Sequence, residues 1–453
     1  MRDGWRARLG RGALALIAVA IVVAILLVVL PEPAAVMLGI ALTASLSRSQ
    51  LERDARGRLE SLVLLPVVGV VGEALGALLR VSPLAGAAVY VIVLVGVVLL
   101  RDRGPAWRRA GSLAATTFLA VLFLPGGAGG GRGPLVAVVA PILIAVLAWV
   151  VVTVVQTVAR VVGFLPRDVA PAPATPPRRE TARPSAAVRA AVQLAAALVP
   201  AFLVGGLVFG AHGAWVVLST VIVAYLPRGR ADAIRTGLHR LVGAAAGSLV
   251  ALLPAAALPG NDTVLVIGAL AAVGFGILFR DVGYVAWAFG VTVALTLLER
   301  LTGAATPLIG QRLVEIALGV AIGLAAVASV YPVPTTDVVR LRLAAVLAAV
   351  SDRLAATDAS TARVSEAQLR SALRELDRSA AALVEAGRAL ALVRRPPPPA
   401  VTWCRDAHAI AATAVSGPTP GPPALRRAVG DARRVLRTPA ELGPALRRAA
   451  DPA

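Results

Sequence analysis

Three ionisable side chains lie within or at the edge of long apolar runs, where a charge is costly to bury in lipid. Glu73 lies in "VVGEALG", and Arg312 and Glu315 open the run "GQRLVEIALGVAIGLAAVASV". Ionisable residues inside a bilayer are the first candidates for substrate binding or ion coupling. From Arg58, Glu73 lies about 22 Å along a helix, and Arg312 and Glu315 share one helix face at i, i+3.

These positions favour one functional hypothesis and leave one structural alternative open. In the first, Glu73 pairs with Arg312 or takes a proton during transport. In the second, Arg312 and Glu315 form a local interfacial ion pair, and Glu73 is a satisfied polar group between helices.

Four further arginines flank the apolar runs at equivalent places in the two halves of the chain. Arg53 and Arg58 lie in the first half, and Arg235 and Arg240 lie in the second. A focused positive potential raises the local concentration of an anionic substrate. These residues are therefore candidates for collecting anions at the cytoplasmic side. The alternative is that they hold the topology and contact lipid phosphates.

Glycines recur at a spacing of four residues in three apolar runs. The pairs are Gly72 with Gly76, Gly243 with Gly247, and Gly319 with Gly323. This spacing is typical of helices that pack closely in a membrane, although it also arises by chance in a chain with 42 glycines.

Enzyme chemistry is not indicated. The one cysteine, Cys404, excludes a Cys-rich metal site, and neither His212 nor His239 has a Cys, Asp or Glu at convincing metal-ligand spacing. No set of nucleophile, base and orienting group is found. We therefore expect no catalytic residue, no metal and no cofactor.

The composition is that of a membrane protein. Hydrophobic residues make up 58% of the 453 residues and charged residues 15%, whereas about a quarter of a soluble domain is charged. All 45 basic residues are arginine, and the net charge is +20. Because the arginines flank apolar runs without interleaved aromatics, we expect contacts with membrane lipids and no nucleic-acid binding.

Twelve apolar runs approach the roughly 20 residues that a spanning helix needs. An all-α integral membrane protein with twelve transmembrane helices in two parallel six-helix repeats is predicted. The expected spans are 12–30, 34–47, 61–79, 82–100, 111–125, 134–158, 188–210, 213–226, 240–258, 263–279, 282–298 and 313–332.

Arginine counts predict the orientation. With the N-terminus inside, the cytoplasmic segments of the membrane part carry 23 arginines, including those of the basic loop "PRGRADAIRTGLHR", and the external side carries four, Arg80, Arg132, Arg300 and Arg312. This bias predicts an inner-membrane protein with both termini in the cytoplasm. The expected domains are a first repeat at 1–164, a Pro-rich linker at 165–187, a second repeat at 188–334 and a tail at 335–453.

The tail is charged and amphipathic. Residues 365–393 present Leu369, Leu373, Leu376, Ala380 and Leu383 on one helix face, and further helices are expected at 401–414 and 424–437. We expect a cytoplasmic helical hairpin or bundle that either mediates homo-oligomer contacts or rests on anionic lipid.

Residues 212–253, "HGAWVVLSTVIVAYLPRGRADAIRTGLHRLVGAAAGSLVALL", resemble the fusaric acid resistance-like, or aromatic acid exporter-like, membrane proteins. The matching positions are Trp215, Arg240, Gly243 and Gly247, while Ala244 replaces the threonine of the family pattern. The final run, 310–332, is similar as well. The resemblance implies efflux of small organic acids and includes anion-channel relatives.

The sequence therefore predicts an inner-membrane transporter, one that exports small amphipathic or aromatic organic acids or related toxic compounds. Two alternatives stay open: a membrane scaffold or envelope protein without transport, and an organic-anion channel.

Overall fold

The computed structural model is all-helical, and the part of the chain that it describes contains no strand. It describes scattered positions between 107 and 122 together with residues 2–30, 32–50, 55–104, 134–164, 185–210, 213–225, 229–252, 262–279, 283–301, 309–390, 399–418 and 420–451. Most of the fifth expected span and most of the linker therefore fall outside the described residues, as does Arg53.

Helices are numbered here in chain order over the described residues. Those of the membrane part are α1 Arg2–Val29, α2 Pro33–Ser49, α3 Ala55–Val81, α4 Pro83–Leu100, α5 Pro134–Val161, α6 Ala186–Val204, α7 Ala214–Ala224, α8 Arg230–Val250, α9 Asp262–Phe279, α10 Tyr284–Leu301 and α11 Ile309–Ser329. A 3₁₀ turn, Arg101–Arg103, follows α4, and a π-helical segment, Gly205–Phe209, continues α6.

Six of the described helices are long and apolar enough to cross a membrane. They contain the windows Gly10–Val29, Arg58–Val81, Pro83–Leu100, Val139–Val161, Ala186–Phe209 and Gly310–Ser329. Shorter apolar helices occur in α2, α7, α9 and α10. A membrane protein is thus confirmed, while the twelve spans and the parallel repeat stay predictions.

The outer faces of these helices are apolar. In α4 the spanning window has a mean hydropathy of 2.6, yet only 22% of it is buried within the protein. Ile92 on that helix is 68% exposed, Val63 on α3 is 71% exposed, and Leu143 on α5 is 61% exposed. Exposed apolar faces of this extent match a lipid environment and not water.

The basic stretch before residue 240 is helical, which corrects the expectation of a loop. Helix α8 starts at Arg230, so Arg240 lies ten residues further on, about 15 Å from the helix start. Arginine and alanine are good helix formers, and charge alone does not end a helix.

The chain divides into two compact units. The first comprises Met1–Tyr225 with Thr236–Ala326, and the second comprises Leu226–Arg235 with Val327–Ala453. In the first unit, buried residues of α1, α2, α5, α9 and α10 form one apolar core.

The second unit is a helical bundle, as the tail sequence indicated. Its helices are α12 Thr335–Ala355, α13 Ala359–Leu390, α14 Pro399–Ser416, α15 Pro423–Arg434 and α16 Pro439–Ala450, and a 3₁₀ turn, Val435–Arg437, follows α15. Leu369 and Leu376 are fully buried in its core, and Leu373, Ala380 and Leu383 pack against that core.

Two groups of this bundle show perturbed ionisation. Asp358 caps the start of α13, where hydrogen bonds from Ser360 and Thr361 hold its pKa well below the usual range. Burial raises the pKa of the Cys404 thiol to about 12, and the nearby Asp377 adds to the effect. The thiol is therefore protonated and unreactive in the folded bundle.

Candidate functional site

A buried polar cluster lies among four helices of the first unit, and we call it the Trp215 site. Its members are almost fully buried, with exposed fractions between 0% and 7%. They are Trp215 on α7, Arg240 on α8, Thr292 and Thr296 on α10, and Arg312 and Glu315 on α11.

Both arginines of the site lie against the same indole ring. The Cζ atom of Arg240 is 5.6 Å from the centroid of the Trp215 ring, and that of Arg312 is 4.7 Å from it. Cations over the face of tryptophan are attracted by the electrons of the ring, most strongly where water is excluded. Trp215 therefore offsets part of the cost of burying two positive charges close together.

Two threonines, one helix turn apart on α10, accept hydrogen bonds from these arginines. Arg240 Nη1 lies 3.5 Å from Thr292 Oγ1, and Arg312 Nη1 donates to Thr296 Oγ1. Each hydroxyl donates a 2.7 Å hydrogen bond to a backbone carbonyl, Thr292 to that of Ala288 and Thr296 to that of Thr292. The hydroxyl oxygens are thereby oriented as acceptors.

The other edge of the Arg240 guanidinium group has no such acceptor. Its Nε and Nη2 atoms are buried and make no hydrogen bond to any described residue. These two donors form one side of the planar group, the side that matches the two oxygens of a carboxylate. A buried donor without an acceptor costs roughly 1–3 kcal/mol, and a charged one more.

Glu315 supplies the negative charge of the site. It lies one turn after Arg312 on α11, is fully buried, and accepts a hydrogen bond of 3.1 Å from Gln311 Nε2 at its Oε1 atom. The named members of the site thus comprise two guanidinium groups and one carboxylate.

Glycines bring the four helices close enough to form the site. Thr220 Oγ1 on α7 donates to Gly319 O on α11 at 2.9 Å, and a Cβ atom added at Gly319 would stand 2.9 Å from Ser219 Cβ. On α8, a Cβ atom at Gly243 would stand 2.7 Å from Ala288 Cβ, and one at Gly247 would stand 2.8 Å from Phe289 O.

Gly323 follows the same pattern, because a Cβ atom there would stand 2.9 Å from Val223 Cβ on α7. Gly72 and Gly76 are both buried within α3. The small residues of α8 and α11 thus lie at backbone contacts with α10 and α7.

The structure brings two of the predicted candidates together, Arg240 and Arg312, over the Trp215 ring, and Glu315 is buried one turn after Arg312 on α11. It gives Arg235 a different neighbourhood, since its Nε atom lies 2.7 Å from Glu385 Oε2 within the second unit. Arg58 is half-buried near the start of α3, where its carbonyl accepts a 2.8 Å hydrogen bond from Trp149 Nε1.

Glu73 forms an ion pair on its own helix, with Glu73 Oε1 3.8 Å from Arg80 Nη2 two turns further on. The hydrogen bond of Arg312 described above is with Thr296. The pairing of Glu73 with Arg312 therefore stays a prediction.

One step of the arginine count was wrong. Arg240 was assigned to the cytoplasmic side and Arg312 to the external side, but both guanidinium groups lie over one ring. Residues that contact the same side chain lie at one depth, so this pair does not mark opposite faces of a membrane. Their burial shows that they belong to the interior of the helix bundle.

The sequence interpretation missed the role of three residues. Trp215 was named as a position of the family pattern, and Thr292 and Thr296 were passed over. The available signal was a pair of hydroxyl residues at i, i+4 in an otherwise apolar run, which places both on one helix face.

The described residues form an all-helical membrane protein. Residues 194–326 match the family model described as fusaric acid resistance protein-like, which confirms the resemblance seen in the sequence. Every residue of the Trp215 site lies within the matched segment. No curated protein and no solved structure matched the chain.

Proposed function

We propose that this protein is an inner-membrane transporter that exports small amphipathic or aromatic organic acids, and that the Trp215 site binds their carboxylate group. The observation that carries the proposal is the buried edge of Arg240, whose Nε and Nη2 atoms find no hydrogen-bond partner in the described part of the chain. A carboxylate on this edge would form two parallel charge-assisted hydrogen bonds.

The surroundings of the arginine favour a ligand with one anionic end and an apolar remainder. The guanidinium groups of Arg240 and Arg312 attract an anion, while the neighbouring α7 and the part of α11 after Glu315 are mostly apolar. An inorganic anion would satisfy the charge alone. An organic acid satisfies both the charge and the apolar lining.

The description of the matched family, resistance to fusaric acid, supports export as the direction. A scaffold protein without transport is disfavoured because a bundle that only packs gains nothing from a buried cation without a full set of acceptors. An organic-anion channel would use the same groups, and it differs in moving its substrate only down the electrochemical gradient.

Export from cells tests the proposal. Cells expressing the wild-type chain should accumulate less labelled benzoate or fusaric acid than cells without it. Arg240→Lys keeps a positive charge but removes the paired donors of the guanidinium edge. We expect Arg240→Lys and Arg240→Gln to reduce the export rate about tenfold or more, which corresponds to one charged hydrogen bond.

The matched control is Arg103→Gln, which removes an exposed arginine outside the site and should leave export unchanged. Membrane levels of each variant are measured in parallel. If Arg240→Lys is present at the wild-type level and exports both acids at the wild-type rate, Arg240 does not bind the substrate.

A further inference from the structure

A second buried polar cluster lies in the first half of the chain, between α2 and α5, and we call it the Gln50 cluster. Its members on α2 and directly after it are Ser47 and Gln50, and those on α5 are Thr153, Gln156 and Arg160. Gln50 is fully buried, and Gln156 and Ser47 are 2% and 3% exposed. None of these residues belongs to the segment matched by the family model.

Two hydrogen bonds link the helices within this cluster. Gln156 Nε2 donates to the Ser47 carbonyl at 2.8 Å, and Thr153 Oγ1 donates to Gln50 Oε1 at 3.4 Å. These contacts use one end of each amide and so fix the direction in which the other end faces. Arg160 lies one turn after Gln156 on the same face of α5.

The remaining polar atoms of the cluster have no hydrogen-bond partner among the described residues. The unpartnered donors are Gln50 Nε2 and both terminal nitrogens of Arg160, and the unpartnered acceptors include Gln156 Oε1 and Ser47 Oγ. Arg160 as a whole is only partly buried, but its Nη1 and Nη2 atoms are shielded. Buried polar groups are normally satisfied, so several buried polar atoms without a partner on these two neighbouring segments point to a polar ligand.

We propose that the Gln50 cluster is a second binding site for the carboxylate of the transported acid. The proposal rests on the function proposed above, and it adds a separate binding site on different helices. The Nη1 and Nη2 atoms form the end-on edge of the Arg160 guanidinium group, which accommodates a carboxylate through two parallel hydrogen bonds. Gln50 Nε2 provides a third donor, and Gln156 Oε1 accepts from a hydroxyl, an amine or a water molecule that accompanies the acid.

A structural role for these residues explains less. The hydrogen bonds Gln156–Ser47 and Thr153–Gln50 already link the two segments, and neither requires a cation nearby. A guanidinium group with two shielded, unpartnered nitrogens lowers stability unless an anion binds to it.

Equilibrium binding of labelled benzoate to the purified full-length protein in lipid nanodiscs tests the proposal. The wild type should bind two benzoate molecules per chain. Arg160→Gln should weaken benzoate binding at the Gln50 cluster about tenfold or more and leave the Trp215 site unchanged. Arg240→Gln should have the opposite effect. Gln50→Leu provides a second variant with the arginine intact, and Arg103→Gln is the control that should retain both sites.

The outcomes separate this site from the first. One benzoate per chain that is lost in Arg240→Gln and retained in Arg160→Gln and Gln50→Leu overturns the second site and leaves the proposed function standing. One benzoate that is lost in Arg160→Gln and retained in Arg240→Gln supports the Gln50 cluster and overturns the role given to the Trp215 site. Absence of binding to the wild type contradicts both.

Discussion

At the scale of single residues, the decisive feature is that one indole ring lies against two guanidinium groups. Arg240, Arg312 and Glu315 were recognisable from the sequence, because charges in apolar runs are rare and costly. Their common partner was not recognisable. Trp215 faces Arg240 and Arg312 only because α7, α8 and α11 pack together, and neither spacing nor hydropathy encodes that arrangement.

Replacing Trp215 tests whether the ring holds the arginines in place. Trp215→Phe keeps a smaller aromatic face, while Trp215→Leu removes it. Each cation–π contact is worth about 0.5–2 kcal/mol, so we expect benzoate affinity and the thermal midpoint to fall in the order wild type, Phe, Leu.

Trp107→Leu is the control for loss of a tryptophan, since Trp107 is 48% exposed, and it should change neither quantity. Equal behaviour of Trp215→Phe and Trp215→Leu would show that Trp215 acts through its volume alone.

At the scale of elements, most boundaries followed from hydropathy, and α8 is the instructive exception. The sequence suggested a basic loop followed by a span from 240, whereas the helix begins at Arg230. Charged residues resemble a loop in a hydropathy pattern, although their helix propensity is good. The glycine spacings of α8 and α11 predicted close packing, but the identity of the neighbouring helices came only from the structure.

Two glycines of α11 offer a matched pair for testing this packing. A Cβ atom at Gly319 would overlap the Val216 carbonyl on α7, whereas one at Gly310 meets nothing within 4 Å. Gly319→Ala should therefore cost about 1–3 kcal/mol through overpacking. Gly310→Ala should be neutral or slightly stabilising, because alanine is the better helix former.

The effect is measured as the thermal midpoint of each purified variant, with unfolding monitored by size-exclusion chromatography. A Gly319→Ala protein that melts with or above Gly310→Ala would mean that α7 and α11 do not approach as closely as described.

At the scale of the whole molecule, composition was sufficient to identify a helical membrane protein with an amphipathic helical tail. The arginine bias was less informative about arginines inside the helix bundle, because it treats every arginine as a marker of one membrane face. Arg240 and Arg312 are buried together instead. An arginine count cannot separate topology signals from ligand-binding cations, since both lie next to apolar runs.

The most direct measurement of the central claim is flux through the purified protein in proteoliposomes. With labelled benzoate on one side, the account predicts saturable transport that requires the protein, persists in Arg103→Gln and falls about tenfold or more in Arg240→Lys. Flux no faster than in protein-free liposomes, or equal flux in the wild type and Arg240→Lys, would contradict the claim that this site carries an organic acid across the membrane.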